Sequence, residues 1–204
     1  EPVGSTNPEV LLQAEDQARI AAEEAELGDL AAARQTAKGM PAGWERGKIR
    51  AAIAGYQATH GEGASAAQEF ADAAADLAQS HERFPEFSMG DLAVVEARAG
   101  ESTAARTTAD AIASPSDRAD AYVLLGSVYL GNHVGEARKL FTAARDLMDD
   151  PKTEKDARNM AGAAFGLAKT GDRAGADGLF TAAIATAQVM DAQTEWRPEM
   201  LAII

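Results

Sequence analysis

The chain has no cysteine among its 204 residues. Disulfides, thiolate nucleophiles and cysteine-ligated metals are therefore excluded. The same lack suits an oxidising compartment. Aromatic residues are few, at 5%. They are scattered among many alanines, and valine and isoleucine are also sparse. That balance disfavours strands and favours helices, whose small side chains let them approach closely. Positive charge is short: 19 Lys and Arg stand against 32 Asp and Glu, a net of −13. Such a surface repels phosphate backbones and anionic lipid heads, so nucleic acid and membrane surfaces are not expected partners. A basic protein or peptide is the better expectation. No run of eighteen apolar residues exists, so no membrane insertion is expected. The chain starts at Glu1 without Met, and no signal sequence is expected within it. A mature secreted chain and a trimmed one both fit that start. With the missing cysteine, it tilts the expected compartment to the periplasm or the exterior over the cytoplasm.

What is present is punctuation. Residues 1–7 read as a disordered tail. Asn7-Pro8-Glu9 has the cap, proline and acid of a helix start. From there the spacing predicts a helix to about Leu27, a turn at Gly28-Asp29, and a second helix to about Gly39. A third carries Trp44, Ile49, Ile53 and Tyr56 to His60, and a fourth runs from Gly61-Glu62-Gly63 to about Ser80. Further helices are expected from Pro85 to Ala99, from Gly100 to Ile112, and from Ser114-Pro115 to Leu130. The last are expected from Gly131 to Met148, from Asp149-Asp150-Pro151 to Thr170, and from Gly171 to about Met190. Prolines at positions 8, 41, 85, 115, 151 and 198 mark starts of alternate helices, and glycines at 28, 61, 100, 131 and 171 mark their ends. This alternation predicts eleven antiparallel helices.

The glycines introduce a repeated skeleton. Gly61 is followed by Ala66, Phe70 and Ala73, and Gly171 by Ala176, Phe180 and Ala183. Ala137, Phe141 and Ala144 repeat its second half. Steps of four and three put the apolar residues on one helix face. A longer echo overlies this: Gly28 to Gly100 is 72 residues and Gly100 to Gly171 is 71. Arg46 and Arg118 share that period, and such repeated charges read as structural bridges between helices.

Helical pairs with this Gly…Ala…Phe…Ala spacing resemble the tetratricopeptide repeat (TPR) over roughly residues 8–190. The fullest match runs from Ala164 and Leu167 through Gly171, Ala176 and Phe180 to Ala183. A second, from Leu125-Gly126 and Tyr129 to Ala137, Phe141 and Ala144, is one residue short at its turn. Two short pairs depart from the pattern, with Ala37 and Ala109 where Phe is usual. The resemblance implies an all-α, right-handed α-solenoid of about five helical hairpins over residues 8–193. Residues 194–204 then form a terminal capping or truncated repeat helix. Its apolar end, Met200 to Ile204, must tuck in or meet another chain, so self-association is possible there.

No catalytic constellation is legible. His60, His81 and His133 lie on separate connectors without a partner at i+4. Gly61-Glu62-Gly63 lacks the lysine of a phosphate loop, and Asp149-Asp150 lacks calcium-loop spacing. No cofactor or metal is expected. The resemblance implies a non-catalytic interaction scaffold or adaptor of a bacterial-type assembly, whose concave groove binds a peptide or protein segment. By position, Lys48, Phe87, Val94, Asp120, Val123, Arg158, Ala161 and Phe165 would face that groove. Phe87 and Phe165 would be apolar anchors unless they pack between hairpins, and Lys48 with Arg158 could hold a carboxylate. Trp44 and Trp196 read as caps of repeat interfaces. The alternative is a ligand-sensing regulatory domain of a larger protein.

Overall fold

The structure, a computed structural model, describes residues 8–80, 87–148 and 153–189. Outside these lie the expected N-terminal tail, the starts at Pro85 and Pro151, the Asp149-Asp150 pair, His81, Trp196 and the terminal helix. Among the described residues there are ten helices and no strand. They are α1 (Pro8–Glu26), α2 (Leu30–Gly39), α3 (Trp44–Thr59), α4 (Gly63–Leu77) and α5 (Met89–Arg98). The second half holds α6 (Ser102–Asp110), α7 (Pro115–Tyr129), α8 (Val134–Asp146), α9 (Glu154–Lys169) and α10 (Arg173–Val189). The chain divides into two compact units, one ending at Thr108 and the other beginning at Ala109.

Four of the turns are the same object. At Gly28, Gly61, Gly100 and Gly171 the backbone takes φ of 94°, 85°, 90° and 90°. This left-handed conformation is open to glycine without a Cβ penalty. At Gly171 the amide donates to Ala168 O at 3.1 Å, and the next amide, Asp172, donates back to Leu167 O at 2.9 Å. That pair of bonds is the Schellman motif, which satisfies carbonyls a helix end would otherwise strand. The residue after the glycine is always an acid: Asp29, Glu62, Glu101 or Asp172. Asp29 caps α2 by accepting from Ala32 N at 3.1 Å, and Asp172 accepts from Gly175 N at 3.0 Å. At these two turns one dipeptide thus ends one helix and starts the next.

The fifth turn differs. Gly131 has no positive φ. Tyr129 O instead accepts from Asn132 N at 3.3 Å and from His133 N at 2.8 Å. Four residues separate α7 from α8, against three at each glycine-acid turn, because α7 stops at Tyr129; the spacing from Tyr129 to Ala137 is still one residue shorter than that from Leu167 to Ala176.

Two helix starts also depart from the proline reading. Helix α5 begins at Met89, where Ser88 and Asp91 form a reciprocal capping box. Helix α9 begins at Glu154, where Thr153 and Asp156 do the same. Each box satisfies two orphan donors at once, which fixes the boundary. Pro41 lies in the connector ahead of α3 rather than in its first turn. Pro115 does sit in the first turn of α7, behind the cap Ser114.

In the first unit, α1 packs on α2 and α3, and α3 packs on α2, α4 and α5. One apolar cluster joins Ala18, Ala21, Ala25, Ala33, Ala37, Met40, Ile49 and Ile53. A second joins Trp44, Ala51, Ala54, Ala66, Phe70, Ala73, Leu77, Phe87 and Leu92. The α3–α4 seam is tied by charge. Arg46 grips Asp76 with two nitrogens and donates to Met40 O at 3.2 Å. Arg50 reaches Glu69 at 3.0 Å and Asp72 at 2.9 Å, and Arg34 reaches Glu69 at 3.3 Å. Asp76 is buried, so its paired arginine is what makes that burial tolerable. Arg46 is thus a structural bridge of the kind its sequence position suggests, and Arg34 is another.

In the second unit, α7 packs on α8 and α9, and α9 on α8 and α10. Its hub is Phe141, fully buried on α8. The ring lies over two glycines: a Cβ built at Gly126 of α7 would fall 2.7 Å from it, and one at Gly166 of α9 would fall 2.3 Å away. The ring therefore wedges between α7 and α9, and glycine at both positions is what admits it. Of the other skeleton phenylalanines, Phe70 is buried, while Phe180 is only half-buried and its neighbour Leu179 points inward.

Candidate functional site

The expected groove residues fall on four helices, α3, α5, α7 and α9, and one connector. In the first unit, Phe87 is buried in the cluster of Trp44, Phe70 and Leu92. It is a core residue, not a surface anchor, because its ring joins this apolar cluster. Val94 is half-buried on α5. Lys48 lies 6.0 Å from the centre of the Trp44 ring, and Trp44 itself is 1% exposed. Trp44 thus anchors the packing of α3.

The second unit holds the remaining five. Helices α7 and α9 run side by side in the same direction, since their contacts climb together along both. Ser116 Oγ donates to Asp156 at 2.6 Å, Asn159 Nδ2 donates to Ser116 O at 3.0 Å, and Val123 packs against Gly162. Lys155 bridges Asp117 at 2.7 Å and Asp120 at 3.1 Å. Burial pushes Asp117 up, yet the bonds from Lys155 and Ser114 outweigh it and hold the carboxyl below its usual range. Burial likewise disfavours the Lys155 charge, but its two aspartates raise it above the ordinary lysine value. Ala161 is buried.

Arg158 and Phe165 stay outside. Arg158 donates to Glu154 at 2.6 Å across one helical turn, with 58% of its side chain exposed. Phe165 is 54% exposed, and Lys169 Nζ stands 5.2 Å from its ring centre. Residues 158, 162, 165 and 169 follow helical spacing, so these groups share one stripe of α9. Leu124 of α7 is also exposed. Lys48 and Arg158, paired in the carboxylate reading, belong to different units.

A further group has no counterpart among the residues read from the sequence. Glu96 of α5 is 3% exposed and sits on the apolar stripe of Leu92, Ala93 and Ala97. One carboxylate oxygen is engaged by Thr108 of α6; Oε2 has no partner. Burial raises its pKa from 4.5 to about 7, with Thr108 opposing and the charge of Glu101 adding. It opens into a cavity of about 440 Å³ between α4 and α6. The available signal was the spacing of α5, which places an acid where the pattern calls for an apolar residue.

The two described histidines share a common pattern. His60 stacks on Tyr56 with centroids 3.8 Å apart, and His133 meets Tyr129 edge-on at 5.9 Å. His60 stands at the C-cap of α3 and His133 at the N-cap of α8. Among the described residues, no group of three or more His, Asp or Glu side chains is placed to hold a metal ion. No described helix is long and apolar enough to cross a membrane. Compared with protein-family models, curated proteins and solved structures, the chain finds no match.

Proposed function

We propose that the chain is a non-catalytic protein-interaction scaffold: TPR-like helical hairpins stacked as a solenoid, presenting the face of their first helices to a peptide or protein segment. The observation that carries this reading is the α9 stripe beside α7, where Phe165 stays 54% exposed while most large apolar side chains are buried. An exposed aromatic flanked by Arg158 and Lys169 combines an apolar contact with charged donors, the make-up of an interaction hot spot. The packing within each unit supports the solenoid. Alternate helices, α1 with α3, α3 with α5 and α7 with α9, lie against each other, while α2, α4 and α8 fill in behind. Stacks of that kind bury faces that no single pair could bury alone. The surplus of acid favours a basic partner, met first by long-range attraction.

Photo-crosslinking tests it. A benzoylphenylalanine at position 165 should give one dominant adduct with a protein segment in the native lysate, and the adduct should be lost on adding Leu124→Asp. The same probe at Lys139, exposed on α8, should not give that adduct. Equal adducts from both positions would overturn the proposal.

A further inference from the structure

The cavity between α4 and α6 belongs to the first unit and has its own chemistry. Its inner end is Glu96, almost wholly buried, with Oε2 unpartnered. A buried carboxylate oxygen without a donor is unfavourable and calls for one. The walls are apolar on the α4 side, from Phe70, Ala71 and Ala74, and hydroxyl-bearing on the α6 side, from Thr107 and Thr108. Among the described residues, the only charged ones lining it are Glu96 and Glu101, both acids. At about 440 Å³ it falls in the range of small-molecule sites.

We propose that this cavity binds a primary ammonium group carried on a short aliphatic stem. The ammonium has three donors and no acceptor, which suits one carboxylate oxygen and neighbouring threonine hydroxyls. The stem would lie on the alanine wall and the Phe70 ring. A quaternary ammonium fits less well, because it has no N–H for Oε2 and finds one aromatic ring rather than a cage. An anion would meet two carboxylates. A divalent metal would find one buried carboxylate where it needs several oxygens. The site goes beyond the scaffold reading and does not rest on it. Its ligand is either a free alkylamine or a lysine side chain of a partner, since both present the same group.

The test is calorimetric titration of the full chain at pH 8.5, above the range in which Glu96 releases its proton. The probes are n-butylamine and Nα-acetyl-lysine methylamide, whose side-chain amine is free. Butanol, equal in stem but uncharged, and tetramethylammonium are the controls. Butylammonium should bind and both controls should not. Glu96→Gln, which keeps the acceptor for Thr108, should weaken binding at least about tenfold. Ala71→Leu, on the exposed side of α4, should fill the cavity and abolish binding even if Glu96→Gln does not fold. Binding of the lysine derivative as well as butylammonium identifies a partner's lysine; binding of butylammonium alone identifies a free amine. Butylammonium no better than butanol, or unimpaired by either substitution, would overturn the proposal.

Discussion

Replacing Glu96 by Gln should make this protein more stable, and more so as the pH rises. The carboxyl is held at about 7 against an ordinary 4.5, chiefly because burial penalises its charged form. Below pH 4.5 it is protonated in folded and unfolded chains alike, and the shift has no effect. Between 4.5 and about 7 the folded chain keeps a proton that the unfolded chain has released. Stability therefore falls as the pH climbs through this window and levels off above 7. The interval is worth about 3 kcal/mol at 1.36 kcal/mol per pH unit. Gln fills the same volume, keeps an acceptor for Thr108 and has no proton to lose. Its advantage over the native chain should grow by about 2–3 kcal/mol between pH 5 and pH 8.5. Urea unfolding followed by far-UV circular dichroism reads this as a midpoint difference that widens by about 1 M, for an m near 2 kcal/mol/M. A difference that is the same at both pH values would refute the burial of an ionisable Glu96.

The packing sets three further outcomes. Phe141→Ala should lower stability by about 3–5 kcal/mol in urea unfolding, because the fully buried ring wedges α7 from α9. Gly166→Ala should also destabilise, by about 1–3 kcal/mol despite alanine's better helix propensity, since its Cβ would land 2.3 Å from that ring. Adding Phe141→Leu should recover part of the loss. Gly171→Ala should destabilise by about 1 kcal/mol through its φ of 90°, whereas Gly131→Ala, with no positive φ and open space around its Cβ, should not destabilise in the same thermal melt.

The turns were legible because a single local device makes them. A glycine accepts the left-handed backbone, and at Asp29 and Asp172 the acid after it caps the next helix, with no distant contact needed. Gly131 carried the same letter without the conformation, since Asn132 brings no acid cap and the longer turn closes through Tyr129 O. The starts of α5 and α9 were written in Ser88-x-x-Asp91 and Thr153-x-x-Asp156, but upstream prolines drew the boundary too early. The candidate site was less legible because exposure is a tertiary property. Phe87 and Phe165 look alike in the sequence, yet one is tucked among Trp44, Phe70 and Leu92 and the other stands on an open stripe. Glu96 was missed for the converse reason. A lone acid on a helix ordinarily reads as solvated, and only the packing of Thr108 against it encloses this one.

Central to the proposed function is that the α7–α9 face holds a partner segment without altering it. The most direct measurement is the Kd of the segment captured from position 165, taken as a synthetic peptide by fluorescence anisotropy, for the native chain and for Phe165→Ala. Mass spectrometry of the recovered peptide accompanies it. A scaffold should show a Kd at least about tenfold weaker for the variant, an unchanged urea midpoint and an unmodified peptide. Equal affinity for both proteins, or a peptide returned with a changed mass, would contradict it.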